Sequence, residues 1–223
     1  MPLKGFRPLV LGGVHLTNVN NVPDVALPVF YLRDTESSHG RYSNVAKMIT
    51  FEDLVKFHGH ACDGLYRGVY ALSVGLKKMF GDEPIDRTDL RVISRNSPCI
   101  GDAASYLTGA RIRFGTQDVD SIPGVWYIIQ RISKGQTVKV VEDEAFFPDK
   151  ILKAESNLTN VPKEGLSKAL DELKLMQDQW VKQVLLKTQP YEHYHADYIE
   201  FVWKDVEYTK KGKRTDIIFK DVI

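Results

Sequence analysis

Between Cys62 and Phe80 the apolar residues Leu65, Val69, Leu72, Leu76 and Phe80 recur every three or four positions, the stripe of a helix buried along one side. Gly64, Gly68 and Gly75 interrupt it, each at a cost of up to about 1 kcal/mol relative to Ala, which calls for close packing in compensation. Gly81 ends it. Just upstream, Thr50 with Asp53 three residues on is a capping signal, and it predicts a short helix from Phe51 to about Phe57 that Gly59 breaks. The period then changes. Leu90–Ser94, Trp126–Arg131 and Thr137–Glu142 read as strands, the last two joined by a turn at Lys134-Gly135. Pro98 restricts Ser97 to extended conformations, so Asn96–Gly101 reads as a turn, followed by a helix over Ile100–Leu107 that Gly109 caps. Pro162 opens a long helix, Lys163–Lys187, whose apolar positions include Leu166, Leu170, Leu173, Trp180, Val184 and Leu185. Asp197–Phe219 has the look of a hairpin around KKGKR. The first fifty residues hold no regular period and read as an extended arm with one short strand, Pro28–Leu32. Helices and strands mix without a βαβ rhythm, so the expected class is α+β, with an arm over 1–50 and a domain over 51–223.

Composition narrows the function classes. A chain of 223 residues with 43% apolar residues suffices for one large domain with an appendage. Lys and Arg number 30 against 29 Asp and Glu, which lacks the basic surplus that nucleic-acid binding needs. Cys62 and Cys99 are too few for a disulfide scaffold. No apolar run approaches the roughly 20 residues that span a bilayer. MPLKGFRPLVLGG is too short in apolar residues for a signal peptide, so a soluble, cytoplasmic protein is expected.

The chemistry concentrates in FHGHACDG, Phe57 to Gly64, which reads as a metal site, a redox thiol or a polar turn between helices. His58, His60 and Cys62 supply imidazole nitrogen and thiolate sulfur, the donors that zinc and similar divalent transition metals take. Gly59 and Ala61 let the backbone bend so that some of them converge; on a straight helix positions i and i+2 diverge. Cys99 stands at the expected start of a second helix, where the dipole and free amides favour a thiolate. Asp102 lies three residues further on, and Asp63 adds a second acid. Two helix starts, each with a Cys and an Asp, can face one pocket, and three protein ligands with an open fourth position make a site of the catalytic type. The plainer alternatives are a turn with surface or core histidines, and buried cysteines acting as small apolar residues. His193 and His195 form a secondary candidate; on a strand they share a face.

HGHACDG (His58 to Gly64) and CIGDAASYLTGA (Cys99 to Ala110) resemble the two motifs of the FmdE-like (FwdE-like) family of formylmethanofuran dehydrogenase proteins, in order and with a fitting gap. The KGQTVKVV stretch, Lys134 to Val141, is similar to a downstream strand of that family, so the resemblance spans about residues 50 to 142. It implies a FwdE-like α+β core, a mixed sheet with helices on one side, with zinc or a related metal near the motifs, and often dimers. Carried over by position, it implies His60, Cys62 and Cys99 as ligands, with His58 and Asp102 close by. Asp63 stands where the family has Pro, Ala110 where many members have a third Cys, and Tyr70 where an Arg is expected. No Cys lies beyond Cys99, so the C-terminal zinc ribbon of many members has no counterpart. Three readings follow. In the first, a metal-dependent enzyme acts on a small molecule, with Asp102 or Asp63 as general base and Arg67 or Arg95 holding an anionic group. The others are a non-catalytic metal or cofactor carrier or accessory component, and dithiol redox chemistry at Cys62 and Cys99.

Overall fold

The computed structural model describes residues 27–37 and 41–206. In chain order the elements begin with β1 (Phe30–Arg33), β2 (Lys47–Ile49), α1 (Phe51–His58) and α2 (Asp63–Phe80). They continue with β3 (Ile85–Asp86), β4 (Leu90–Arg95), α3 (Pro98–Thr108), β5 (Gln117–Asp120), β6 (Trp126–Arg131) and β7 (Thr137–Glu142). The last are α4 (Asp149–Asn157), α5 (Lys163–Gln183), α6 (Pro190–His193) and β8 (Tyr194–Ile199).

The fold is α+β. Five strands form a mixed sheet of order β5-β4-β6-β7-β8, parallel between β4 and β5 and antiparallel elsewhere. Along β4, Leu90, Val92 and Ser94 are buried while Arg91, Ile93 and Arg95 are half-buried, the two-residue alternation of a strand. Val92 faces Ile129 across the β4–β6 pair, and Ile129 faces Val138 across β6–β7. α2 lies against β6, β7 and β8, and α3 lies against α2 and β4. The glycines of α2 have the structural reason that the stripe demanded. A Cβ on Gly75 would sit 3.0 Å from Ile129 and 3.1 Å from Val140, and one on Gly68 would sit 2.8 Å from the Tyr127 hydroxyl. Helix and sheet therefore approach closely at two points seven residues apart, on one helical face. The Tyr127 hydroxyl donates to the Ile100 carbonyl at 3.1 Å, which ties β6 to α3.

A second sheet, order β2-β1-β3, adds Phe30 and Leu32 to the same core. Residues 1–26 of the expected arm lie outside the described residues, as does the KKGKR turn. Residues 200–206 hold no helix or strand. α4 and α5 pack on each other, and Trp180 of α5 meets Phe146 and Phe147 edge-on at 5.2 and 5.0 Å. Among the described residues no helix is long and apolar enough to cross a membrane.

Several boundaries differ from the sequence expectation. Asn96–Gly101 is not a free turn, because α3 already begins at Pro98. Ser97 is extended (φ −148, ψ 139), as a residue before Pro must be, and Pro98 itself occupies the first helical turn, where its missing N–H costs nothing. α5 ends at Gln183, and a 3-10 turn, Leu185–Lys187, follows. β8 begins at Tyr194, three residues before the expected hairpin. β5 carries only one buried residue, the polar Gln117, so it left no apolar signal.

Candidate metal centre

Two helix junctions meet at the site. α1 ends at His58, and Gly59 (φ 104) turns the chain out of the helix while its N–H still donates to Val55. This left-handed cap suits Gly alone at low cost. Three residues later Cys62 caps α2, and its Sγ accepts the Leu65 N–H at 3.4 Å. Cys99 stands in the first turn of α3. The space between the helices is small. A Cβ on Gly64 would lie 3.0 Å from the Cys99 sulfur, so only Gly lets α3 bring that sulfur beside Cys62.

The outcome is three donor atoms within 4.8 Å of one another: the sulfurs of Cys62 and Cys99 and a ring nitrogen of His58. The two sulfurs are 3.3 Å apart, and the Cys62 sulfur is 3.6 Å from His58 Nε2. Zinc bond lengths of about 2.3 Å to sulfur and 2.0–2.1 Å to nitrogen give tetrahedral edges of about 3.8 Å for S–S and about 3.6 Å for S–N. The donor set and its spacing fit such an ion with a few tenths of an ångström of adjustment. No other cluster of this kind occurs among the described residues.

The histidine so placed is His58, whereas the resemblance pointed first to His60. The cap at Gly59 is the reason. It ends the helix and sends the chain outward, so that His60 is exposed, with its ring alongside that of His58 at 4.6 Å between centroids. Asp102 reaches His58 while part of its side chain stays in solvent. Its carboxylate accepts from His58 Nδ1 at 2.8 Å, which leaves Nε2 facing the sulfurs. The His58 side chain is 4% exposed, and that of Asp102 39%.

The electrostatics match the geometry. The hydrogen bond to Cys62, together with the carboxylate of Asp102, raises the His58 pKa to about 9. Hydrogen bonding from Cys99, and then from His58, lowers Cys62 to about 4. Cys99, donating to that thiolate and desolvated beside it, is pushed far up. The two thiols thus share one proton and titrate as a pair. A divalent cation bound between them would take the place of that proton.

The remaining predicted residues lie elsewhere. Asp63 is buried in the first turn of α2, 3.7 Å from Arg67, and burial raises its pKa to about 7. Arg67 is not free to hold an external anion. Its guanidinium forms a two-pronged ion pair with Glu142 of β7 and stacks 3.8 Å over the Phe147 ring. Tyr194 donates to the same Glu142 at 2.8 Å. This buried network fixes the first turns of α2 to β7 and β8. Sequence reasoning missed Glu142 and Tyr194, whose only signal was an acid at the end of a strand. Arg95 ends β4, three residues before α3, and no hydrogen bond from its guanidinium appears among the described residues. His193 ends α6 and His195 lies on β8; they bracket Asp143 at 3.2 and 2.6 Å rather than converging on one another.

Comparison with known proteins places the chain in a family. A family model described as FmdE, molybdenum formylmethanofuran dehydrogenase operon, matches residues 57–190, which include both helix junctions. Among solved structures, the chain is similar to a tungsten formylmethanofuran dehydrogenase FmdE-like protein from Syntrophus aciditrophicus. Identity is 16%, the match covers 77% of this chain and 81% of that one, and the TM-score is 0.43. No curated protein matches.

Proposed function

The chain belongs to the FmdE family, and we propose that it holds one zinc ion through His58 Nε2 and the sulfurs of Cys62 and Cys99, with a fourth position left for a small-molecule ligand. The observation that carries this reading is the convergence of those three donors at near-tetrahedral spacing. A zinc ion held there supplies Lewis acidity toward an oxygen of the bound ligand. The chain's own residues do the rest. Asp102 holds the His58 ring in the tautomer that presents Nε2, the part of an orienting carboxylate rather than of a general base. Cys62, at the start of α2, is held as the thiolate, and Cys99 keeps the shared proton until a cation takes its place. His60 is exposed, with its ring 4.6 Å from that of His58, and is assigned a part in meeting the ligand rather than in holding the metal.

The test is cobalt(II) substitution of the chelated protein. The proposal expects one equivalent to bind, with a thiolate-to-cobalt charge-transfer band, four-coordinate d–d intensity, and a d–d shift on adding a small anion such as cyanide. A spectrum without the thiolate band rules out the cysteine ligands, and one indifferent to added anions rules out the open position.

The 3.3 Å approach of the two sulfurs favours a second reading, reversible disulfide formation in the metal-free protein. Thiol counting before and after mild oxidation decides it. The homodimer implied by the resemblance belongs to this proposal; the exposed Tyr31, Val45 and Met48 on and beside the small sheet support it, and sedimentation tests it. Two free thiols support action in the reducing cytoplasm.

A further inference from the structure

α3 carries the metal centre at its first turn, and its other end borders a separate cavity. From Cys99 to Gly109 the helix rises about 15 Å, so the two places are distinct. The cavity has a volume of about 340 Å³, and Asp34, Arg87, Thr88, Arg111, Phe114 and Thr116 are among its lining residues. Four segments meet there: the end of β1, the link from β3 to β4, the turn after α3 and the approach to β5.

Its charge is unbalanced. Among the described residues Arg87 makes one ion pair, at 3.2 Å to Asp34, and its buried Nε has no hydrogen-bond partner. Arg111 spends Nη1 on the carbonyls of Ser105 and Ala110, at 2.6 and 2.8 Å, which closes the C-terminal end of α3. No carboxylate pairs with Arg111 among the described residues. Among the described residues, two guanidinium groups therefore line one concavity against a single carboxylate. Burial and the nearby positive charge of Arg111 both press on the Arg87 cation. Such an arrangement is costly unless something negative sits in it. Phe114, 68% exposed at the cavity, adds an apolar wall for the organic part of a ligand. The hydroxyls of Thr88 and Thr116 are already engaged, with Asp86 and with the Arg111 backbone. The guanidinium groups are left as the polar recognition elements. Their planar donor forks match the oxygens of phosphate and carboxylate groups.

We propose that this cavity binds the phosphate or carboxylate group of a small anionic ligand between Arg87 and Arg111. Asp34 opposes the ligand and tunes its affinity, so removing the Asp34 charge strengthens binding. That sign is opposite to what a purely structural Asp34–Arg87 pair predicts.

Isothermal titration of the full chain with inorganic phosphate and, separately, with malonate tests this, in chloride-matched buffer. The result expected is saturable binding of at least one of the two, and which one identifies the source of the oxyanion. Arg87→Gln and Arg111→Gln should each weaken it about tenfold or more, the loss of a charge-assisted contact. Asp34→Asn should tighten it several-fold. Arg111→Gln also removes a helix cap; if it fails to fold, Arg87→Gln and the gain in Asp34→Asn still decide. Absence of binding by both anions overturns the proposal. So does binding that is equal in wild type, Arg87→Gln and Asp34→Asn, since the anion then lies elsewhere.

Discussion

Asp102→Asn separates two chemistries that the same residue could perform. In the structure its carboxylate accepts from His58 Nδ1 at 2.8 Å, and the His58 ring is nearly inaccessible. The substitution keeps an acceptor but removes the charge that favours the Nδ1–H tautomer. Removal of such an orienting partner costs about 10–100-fold in metal affinity, or about 1.4–2.7 kcal/mol. Because the Asp102 side chain is 39% exposed, solvent replaces part of its effect, and the lower half of that range is expected for Asn. Asp102→Ala, which also removes the acceptor, should lie in the upper half. The assay is competition for zinc against a chromogenic chelator at fixed pH, with stoichiometry at saturation as the control. Both variants should still bind one equivalent, only more weakly. An unchanged zinc affinity in both would refute the orienting role. It would return Asp102 to the general base expected from sequence, which acts on a substrate and leaves the metal alone.

Further perturbations probe the packing at the centre and the charge pairs of the fold. Gly64→Ala puts a methyl group 3.0 Å from the Cys99 sulfur; it should cost about 1–3 kcal/mol of stability and lower zinc affinity, and an unaffected affinity by chelator competition would show that Cys99 has room to spare. Glu142→Gln strands the buried Arg67 charge with only Asp63 at 3.7 Å, so urea unfolding should show a loss of about 3 kcal/mol or more. Arg67→Met with Glu142→Leu should recover much of that loss, and simple additivity would argue against a coupled pair. Asp89 is partly buried, which raises its pKa, but hydrogen bonds from Ser133 and then Arg131 outweigh this and hold it below the ordinary carboxylate value of 3.8. Its stabilisation is therefore present above that value and lost as pH falls through and below it. Asp89→Asn should cost about 1.5 kcal/mol at neutral pH and progressively less in acid, and a cost that does not change with pH would contradict the linkage.

What could be read from the sequence depended on how strongly each segment is periodic. α2 is buried along one stripe, and β6 and β7 are apolar through the sheet centre, so their limits stood out. β5 is a polar edge strand and α4 buries only Ile151, so neither left a pattern to read. Pro98 illustrates a local rule with two outcomes: it forces Ser97 to be extended, and it also opens the helix that follows. In the site, the residue types and the two junctions were legible because His, Cys and Gly cluster densely there. The choice between His58 and His60 was not, since it turns on the left-handed conformation of Gly59, which a sequence permits but does not dictate. The commitment of Arg67 to Glu142 was equally hidden, because it pairs residues 75 positions apart on different elements.

The central claim is that His58, Cys62 and Cys99 hold the metal and His60 does not. Elemental analysis of protein purified without added metal, comparing wild type with His58→Ala, His60→Ala, Cys62→Ser and Cys99→Ser, tests it most directly. The account predicts about one zinc per chain in wild type and His60→Ala, and little or none in the other three folded variants. Metal retained in His58→Ala and lost in His60→Ala, or absent from the wild type, would contradict it.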